Sequence, residues 1–237
     1  MKDVVFIILA GGKGIRLGAE TPKPIRNIGN MTLLERVANV GRELIPTSIL
    51  AVVSDERVAA VARELQCDLA WQEEPRGTAD ALRQALKVID SGKYILVTCV
   101  DIPFIRSDVF SGLFSEHINS NNFLTVLTAY VDNPSGYGRV VMKDSQVKKI
   151  VEEKEASDAE KKINLINSGI YCISLERLKE CLDEIERSPE KNEYYLTDII
   201  EIALGKGLAV SAVQCDYRFI KGINTPAQLI QAQETLD

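Results

Sequence analysis

The sequence predicts an α/β fold: a Rossmann-like, doubly wound mixed sheet with helices on both faces, carrying a smaller inserted antiparallel sheet and lid. Three observations predict it. Apolar, β-branched runs alternate with helix-period segments through residues 1–120. The first of these runs, Val4–Ile8, feeds a glycine-rich turn, LAGGKGIR at Leu9–Arg16. Beyond residue 120 the rhythm changes to short strands separated by turn residues.

The elements follow in order. Val4–Leu9 reads as a buried parallel strand, apolar on both faces. Thr32–Glu43 is a helix, with Thr32 as N-cap and Glu35 in the capping-box position. SILAVV (Ser48–Val53) is a strand, Glu56–Leu65 a helix and Asp68–Trp71 a short strand. Thr78–Ile89 is a helix that Thr78 is expected to cap. YILVTCV (Tyr94–Val100) is a strand and Ser107–Glu116 a helix. In the second half, Phe123–Tyr130, Gly138–Met142 and Val147–Val151 read as antiparallel strands, with a turn at Lys143–Gln146. Glu152–Lys162 is a charged surface segment. Ile170–Ile173 and Ala209–Val213 are strands; Leu175–Ile185, Tyr195–Leu204 and Pro226–Thr235 are helices, the last capped by Thr225. No internal repeat or linker divides the chain, so a single domain over 1–237 is expected, built of two halves, 1–120 and 121–237.

Composition narrows the function. A net charge of −6 argues against a nucleic-acid binder, which carries a basic stripe, but leaves room for a small anion held by a few local cations. No apolar run approaches the length that spans a bilayer. The short apolar stretch after Lys2 ends in Gly-Gly-Lys-Gly and not in a cleavage site, so a cytoplasmic protein is expected. Five scattered cysteines without a C-x-x-C pair point to reduced, mostly buried thiols. A single histidine, His117, with no ligand pair at metal spacing, argues against zinc and against Ser-His or Cys-His chemistry, and it is expected at the surface of a helix end. The sequence leaves oligomeric state open, a homo-oligomer included.

The chemistry concentrates at strand ends, where ligands bind in open α/β sheets. A glycine turn after a strand bares backbone N–H groups to phosphate, and Lys13, Arg16 and Lys23 add cations at or just after it. The dinucleotide fingerprint fails because Leu17 stands where its third glycine belongs, and no window fits the P-loop. After Asp68–Trp71 comes QEEPRGT (Gln72–Thr78), in which Gln72 offers an amide to a base edge and Gly77 a close backbone approach. Asp101 ends the apolar YILVTCV strand, where a carboxylate is costly unless paired or bound to Mg²⁺. Gly138 in GYGR, Glu152, Asn167 in NSG and Asn224 before the last helix supply neutral donors and one carboxylate suited to a polyhydroxylated sugar.

Taken in order, LAGGKGIR…PK, Q-x-x-x-x-GTA, the Asp101 strand end, NPSGYGR, VEEKEA, INSG, EYYLTDII and GIN resemble the sugar-phosphate nucleotidyltransferase family, in its uridylyltransferase branch, over nearly the whole chain. The resemblance implies a nucleotide-diphospho-sugar transferase fold and a Mg²⁺-dependent transfer from a nucleoside triphosphate, UTP favoured, to a sugar 1-phosphate, N-acetylglucosamine 1-phosphate favoured. It implies that Leu9, Ala10, Gly11 and Gly12 lie against the nucleotide and that Arg16 and Lys23 contact the reacting phosphates. Gln72, Gly77 and Thr78 would select the base, Asp101 and Asn224 would hold Mg²⁺, and Gly138, Glu152, Asn167 and Thr197 would contact the sugar. Two departures stand out. Ile15 replaces the usual threonine, and Cys99-Val100 precedes Asp101 where close relatives carry Tyr-Gly; CVDIPF resembles the molybdenum-cofactor nucleotidyltransferases instead. The left-handed β-helix of bifunctional relatives has no counterpart in this sequence, so no acetyl transfer is expected. Other readings are the same chemistry with another sugar phosphate or nucleotide, and a non-catalytic sugar-nucleotide sensor.

Overall fold

Side-chain alternation along the first strand decides how the sheet is covered. Successive residues of β1 (Val4–Leu9) point to opposite faces, so an all-apolar strand needs a core on each side. A computed structural model, describing residues 1–12, 20–189 and 192–235, shows both cores. Val4, Phe6 and Ile8 pack into one; Val5 and Ile7 pack into the other. The first core is covered by α1 (Leu33–Glu43), α2 (Glu56–Glu64) and α4 (Ser107–Asn119), through residues such as Leu34, Val58 and Phe110. The second is covered by α3 (Thr78–Leu86), α5 (Leu178–Asp183) and α6 (Ile199–Gly205), through Leu82, Cys181 and Ile200.

The remaining elements are β2 (Asn27–Ile28), β3 (Met31–Thr32), β4 (Ser48–Val53), β5 (Asp68–Trp71), β6 (Tyr94–Cys99), β7 (Leu124–Tyr130), β8 (Arg139–Lys143), β9 (Gln146–Val151), β10 (Leu165–Ser174), β11 (Val210–Gln214), α7 (Tyr217–Ile220) and α8 (Pro226–Glu234). The main sheet runs β11-β7-β10-β6-β1-β4-β5. Every neighbouring pair along it is parallel except those of β10, which is antiparallel to both β6 and β7. The fold is therefore a mixed α/β sheet, doubly wound as expected. The β8–β9 hairpin turns through Asp144 and Ser145, both in the left-handed region, and joins β10 through Arg139 opposite Ile166. A separate two-stranded sheet, β2–β3, lies in the first half.

Several local expectations are corrected. Thr78 does not cap α3. Gly77 holds the cap position, and the Thr78 hydroxyl accepts from Leu196 N at 3.0 Å. The expected Tyr195–Leu204 helix is split into a 3₁₀ turn, Leu196–Asp198, and α6. The strand read at Ile170–Ile173 extends to Leu165–Ser174, because the Asn167–Gly169 stretch forms an irregularity within it and not its start. Thr32 caps α1 by accepting from Glu35 N, and Thr225 forms a full capping box with Gln228. All five cysteines are free, and among the described residues no helix is long and apolar enough to cross a membrane.

His117 is the largest correction: it is buried, not at the surface. Its ring nitrogens lie 3.0 Å from Thr125 Oγ1 and 3.1 Å from Ser174 Oγ, and its ring stacks edge-on against Tyr94. Burial holds its pKa down to about 4, below the ordinary 6.5. Above the ordinary value both folded and unfolded forms are neutral. As pH falls below it, only the unfolded chain takes up the proton. Stability is therefore expected to drop between pH ~6.5 and ~4, with this group adding at most ~1.4 kcal/mol per pH unit. Urea midpoints at pH 7.5, 6 and 5 should fall less steeply for His117→Gln than for the wild type; parallel pH profiles would refute the assignment.

Candidate active site

The site forms at the carboxyl ends of the central parallel strands, where the topology of the sheet opens a crevice. From β1 the backbone continues its ladder: Ala10 N donates to Val52 O at 2.9 Å. Gly11 follows, its carbonyl accepting from Ser54 Oγ at 2.7 Å just past β4. A side chain at Gly11 would put its Cβ 2.9 Å from Gln72 Oε1, so a larger residue here would press on the Gln72 amide. Gly11 is thus seated beside Gln72, Leu9 and Ala10 precede it at the end of β1, and Gly12 is exposed. Lys13, Ile15 and Arg16 lie outside the described residues.

Gln72 starts the loop after β5, and its side chain is 4% exposed. Its N donates to Val53 O at 2.8 Å. Its Nε2 donates to Gly77 O at 3.2 Å and Asp80 Oδ2 at 2.7 Å. The Gly77–Thr78 corner is clamped to a segment more than a hundred residues away. Tyr194 N donates to Arg76 O at 2.7 Å, and Ala79 N donates to Tyr194 O at 3.0 Å. The EYYLT motif thus braces the loop that carries Gln72.

On the other side of β1, Asp101 follows β6. It faces two partners far away in sequence: Lys23 Nζ donates to Asp101 Oδ2 at 2.7 Å and to Asn224 Oδ1 at 2.9 Å. Lys23 reaches them from a 3₁₀ turn, Lys23–Ile25, that Pro22 and Pro24 stiffen. Ile223 N donates to Asp101 O at 2.8 Å and fixes the second loop against the first. Asn224 N and Thr225 N both donate to Gln228 Oε1, so the α8 cap orients Asn224. The three side chains are part-buried, where an ion pair is worth more than at the surface.

The second half supplies the opposing wall. Asn167 N donates to Gly138 O at 2.9 Å, Asn167 Nδ2 donates to Tyr171 OH at 2.8 Å, and Gly169 N donates to Asn167 Oδ1 at 3.0 Å. Thr197 Oγ1 donates to Glu152 Oε1 at 3.2 Å. A Cβ on Gly138 would lie 3.6 Å from Asn167 Cβ and 3.7 Å from Glu152 Oε1. Gly138, Glu152, Asn167 and Thr197 therefore form one cluster. The Gly136–Arg139 turn is anchored by Arg139, whose buried guanidinium pairs with Glu153 at 2.6 Å and donates to Tyr137 O.

Cys99 is the seam between the walls. Burial pushes its thiol up to about 12, the nearby Asp101 and Glu152 carboxylates adding to this and Lys23 opposing it. It is a neutral packing group and not a nucleophile. Asp198, beside Glu152, is held up to about 6 by burial and then by Glu155, Glu152 and Glu201. Ser54, Asp80 and Tyr171 are contributors that motif reading alone did not single out, while Cys99, noted as a departure, and Tyr194, inside the EYYLTDII motif, had no structural role assigned. The carboxyl-end rule would have reached Ser54, since it follows β4 directly; the others depend on long-range contacts.

The donor set also bears on a metal. Among the described residues no group of three or more His, Cys, Asp or Glu side chains converges to hold an ion alone. Asp101 Oδ2 and Asn224 Oδ1, however, lie within hydrogen-bond distance of one cationic atom. Two hard oxygens completed by water and substrate phosphates are what Mg²⁺ ordinarily takes, so these residues fit the ion.

Residues 6–162 match the sequence model of the MobA-like NTP transferase domain. The chain is 34% identical over 233 residues to the bifunctional protein GlmU of Clostridium botulinum, covering 97% of this chain and 51% of that one. It is 35% identical to GlmU of Clostridioides difficile, over 97% and 51% respectively. It therefore spans about half the length of these relatives. Among solved structures, a putative glucose-1-phosphate thymidylyltransferase from Bacillus anthracis superposes with a TM-score of 0.75 at 20% identity, covering 98% of this chain and 94% of that one. A UDP-glucose pyrophosphorylase bound to UDP-glucose gives 0.74 at 17% identity, covering 98% and 97%. These two likenesses concern the fold. With the family match extending over most of the chain and the strand-end site in place, the chain belongs to the MobA-like NTP transferase domain family.

Proposed function

We propose that the chain transfers a uridylyl group from UTP to N-acetylglucosamine 1-phosphate, forming a UDP-sugar and pyrophosphate. The observation that carries the reading is the Lys23–Asp101–Asn224 contact at the end of β6. It lies between the Gly11–Gln72 wall and the Glu152–Asn167–Thr197 wall, as a two-substrate reaction requires. Residues 1–120 act as the nucleotide half and 121–237 as the sugar half of one catalytic unit. The sequence resemblance favours UTP and N-acetylglucosamine 1-phosphate, and a cytoplasmic site of action.

In this reading an ionised phosphate oxygen of the sugar 1-phosphate attacks the α-phosphorus of UTP in line. The bond from the α-phosphorus to the bridging oxygen breaks, and pyrophosphate leaves with that electron pair. The nucleophile is already an anion, so no side chain has to remove a proton, which suits a site without an accessible histidine. Asp101 and Asn224 would hold Mg²⁺, which would neutralise charge on the triphosphate. Leu9, Ala10, Gly11 and Gly12 line the nucleotide, and Arg16 and Lys23 offset charge on the reacting phosphates. Gln72, Gly77 and Thr78 form the base wall. Gly138 keeps the sugar wall open, and Glu152, Asn167 and Thr197 bond the sugar hydroxyls. Most of the rate gain comes from positioning and charge stabilisation.

A second acceptor or nucleotide is favoured by one feature, Cys99-Val100 before Asp101, because it changes the residues between the two walls. A pyrophosphate-release assay with Mg²⁺, over a panel of sugar 1-phosphates and the common nucleoside triphosphates, decides. UTP with N-acetylglucosamine 1-phosphate is expected to give the highest kcat/KM. Faster release with another pair would transfer the assignment to that pair. Nucleotide binding without release from any pair would leave a sensor and refute the transferase reading.

A further inference from the structure

The Gln72 amide has two N–H donors and one carbonyl oxygen, and its surroundings fix which end faces the ligand. Both donors are taken by groups that only accept: the carboxylate of Asp80 at 2.7 Å and the carbonyl of Gly77 at 3.2 Å. Asp80 cannot offer a hydrogen in exchange, because its second oxygen also accepts, from Gln84 Nε2 at 3.3 Å. Turning the amide over would set two oxygens against each other in a buried position and leave the Gly77 carbonyl without this donor, at a cost typical of unmade buried hydrogen bonds. Oε1 is left facing Gly11, at the end of the first strand.

We propose that Asp80 is a specificity-positioning residue: by holding both hydrogens of the Gln72 amide, it makes Gln72 present an acceptor to the base. The site then takes a base with an N–H donor in the facing ring position, the imide N3–H of uracil or thymine. It disfavours cytosine, whose N3 carries a lone pair there. This rests on the reading of Gln72 as the base contact. Asp80 is suited to the task because it sits in the first turn of α3, whose start is pinned by Gly77, Thr78 and Tyr194.

The test is nucleotide binding by calorimetry, independent of turnover, with UTP and CTP in Mg²⁺ buffer on the full chain. Wild type is expected to bind UTP tighter than CTP. Asp80→Asn provides a donor that can pair with Gln72 Oε1, which lets the amide turn its NH₂ to the base. Its UTP:CTP affinity ratio is expected to fall roughly 10- to 100-fold, with the fold retained by thermal midpoint. Asp80→Glu, which keeps two acceptors, should restore part of the ratio. A purely structural role would weaken both nucleotides together and leave the ratio unchanged, which would overturn the inference. A wild type that binds UTP no better than CTP, or binds neither, would overturn it as well. Wild-type pyrophosphate release with an unchanged Asp80→Asn ratio would sink this inference alone and leave the transferase reading standing.

Discussion

Replacing Asp101 with alanine is expected to lower kcat by about a thousandfold or more while leaving the protein folded. The size follows from the role proposed for Asp101 as a Mg²⁺ ligand: charge stabilisation by a bound cation contributes several kcal/mol, and each 1.36 kcal/mol is tenfold in rate. The fold should survive because the interactions that seat the Asp101 backbone do not use its side chain. Ile223 N still donates to the residue 101 carbonyl, and β6 keeps its pairing with β1 and β10. The lost Lys23 contact is part-exposed and should cost no more than about 1–2 kcal/mol. Asp101→Asn separates charge from shape: it keeps the size and one oxygen, and is expected to raise the Mg²⁺ concentration needed for half-maximal rate more than it raises either substrate KM. The readouts are kcat against Mg²⁺ concentration and a thermal midpoint. A variant with wild-type turnover, or one whose loss is matched by unfolding, removes Asp101 from the metal assignment.

What the chain discloses before folding depends on the range of the contact involved. β1 and β4 have the bounds their apolar runs predict, because strands buried in the middle of a parallel sheet read as near-continuous hydrophobic runs. β5 also has its expected bounds, although it is an edge strand with Asp68 and Trp71 exposed. The rule that ligands gather at carboxyl ends singles out Gly11, Gln72 and Asp101 one by one in the sequence; the strand order of the folded sheet, which lays β5, β4, β1 and β6 side by side, is what brings them together. Thr78 shows where such reading stops. A threonine at the start of a helix is ordinarily its cap, and only the approach of Leu196, from beyond β10, makes its hydroxyl a tertiary acceptor. His117 fails for the same reason: a histidine in a polar stretch carries no mark of Thr125 and Ser174 closing over it. The Lys23–Asn224 contact bridges the two ends of the chain, and motif order suggested a shared site but not that Lys23 would bond both proposed metal ligands. Asp80 was legible as helix-forming and invisible as a partner of Gln72, because its effect lies in which end of an amide it holds.

Gly77→Ala is expected to destabilise the protein and weaken nucleotide binding together, because one backbone junction supports both the start of α3 and Gln72, the proposed base contact. Gly77 sits at φ +106°, outside the region that L side chains adopt at ease, and its missing Cβ would stand 2.3 Å from Tyr194 O and 2.7 Å from Tyr194 N. Those neighbours are backbone atoms and cannot rotate away. The same Tyr194 groups bond Arg76 O and Ala79 N, so relief requires breaking this pair or shifting the start of α3. The combined conformational and steric cost is of order 2–4 kcal/mol, which for a chain of this length lowers the thermal midpoint by roughly 5–12 °C. Because Gly77 O also receives Gln72 Nε2, the movement carries Gln72 with it, and the UTP KM should rise more than the sugar-phosphate KM. Gly112→Ala is the contrast. It lies within α4 with open space where its Cβ would go, so removing the glycine should raise stability by about 0.5–1 kcal/mol and leave both KM values alone. Should Gly77→Ala melt with the wild type, the clamp between the base-wall loop and Tyr194 is not part of the folded protein. If it melts early yet keeps its UTP KM, the clamp supports α3 but does not position Gln72.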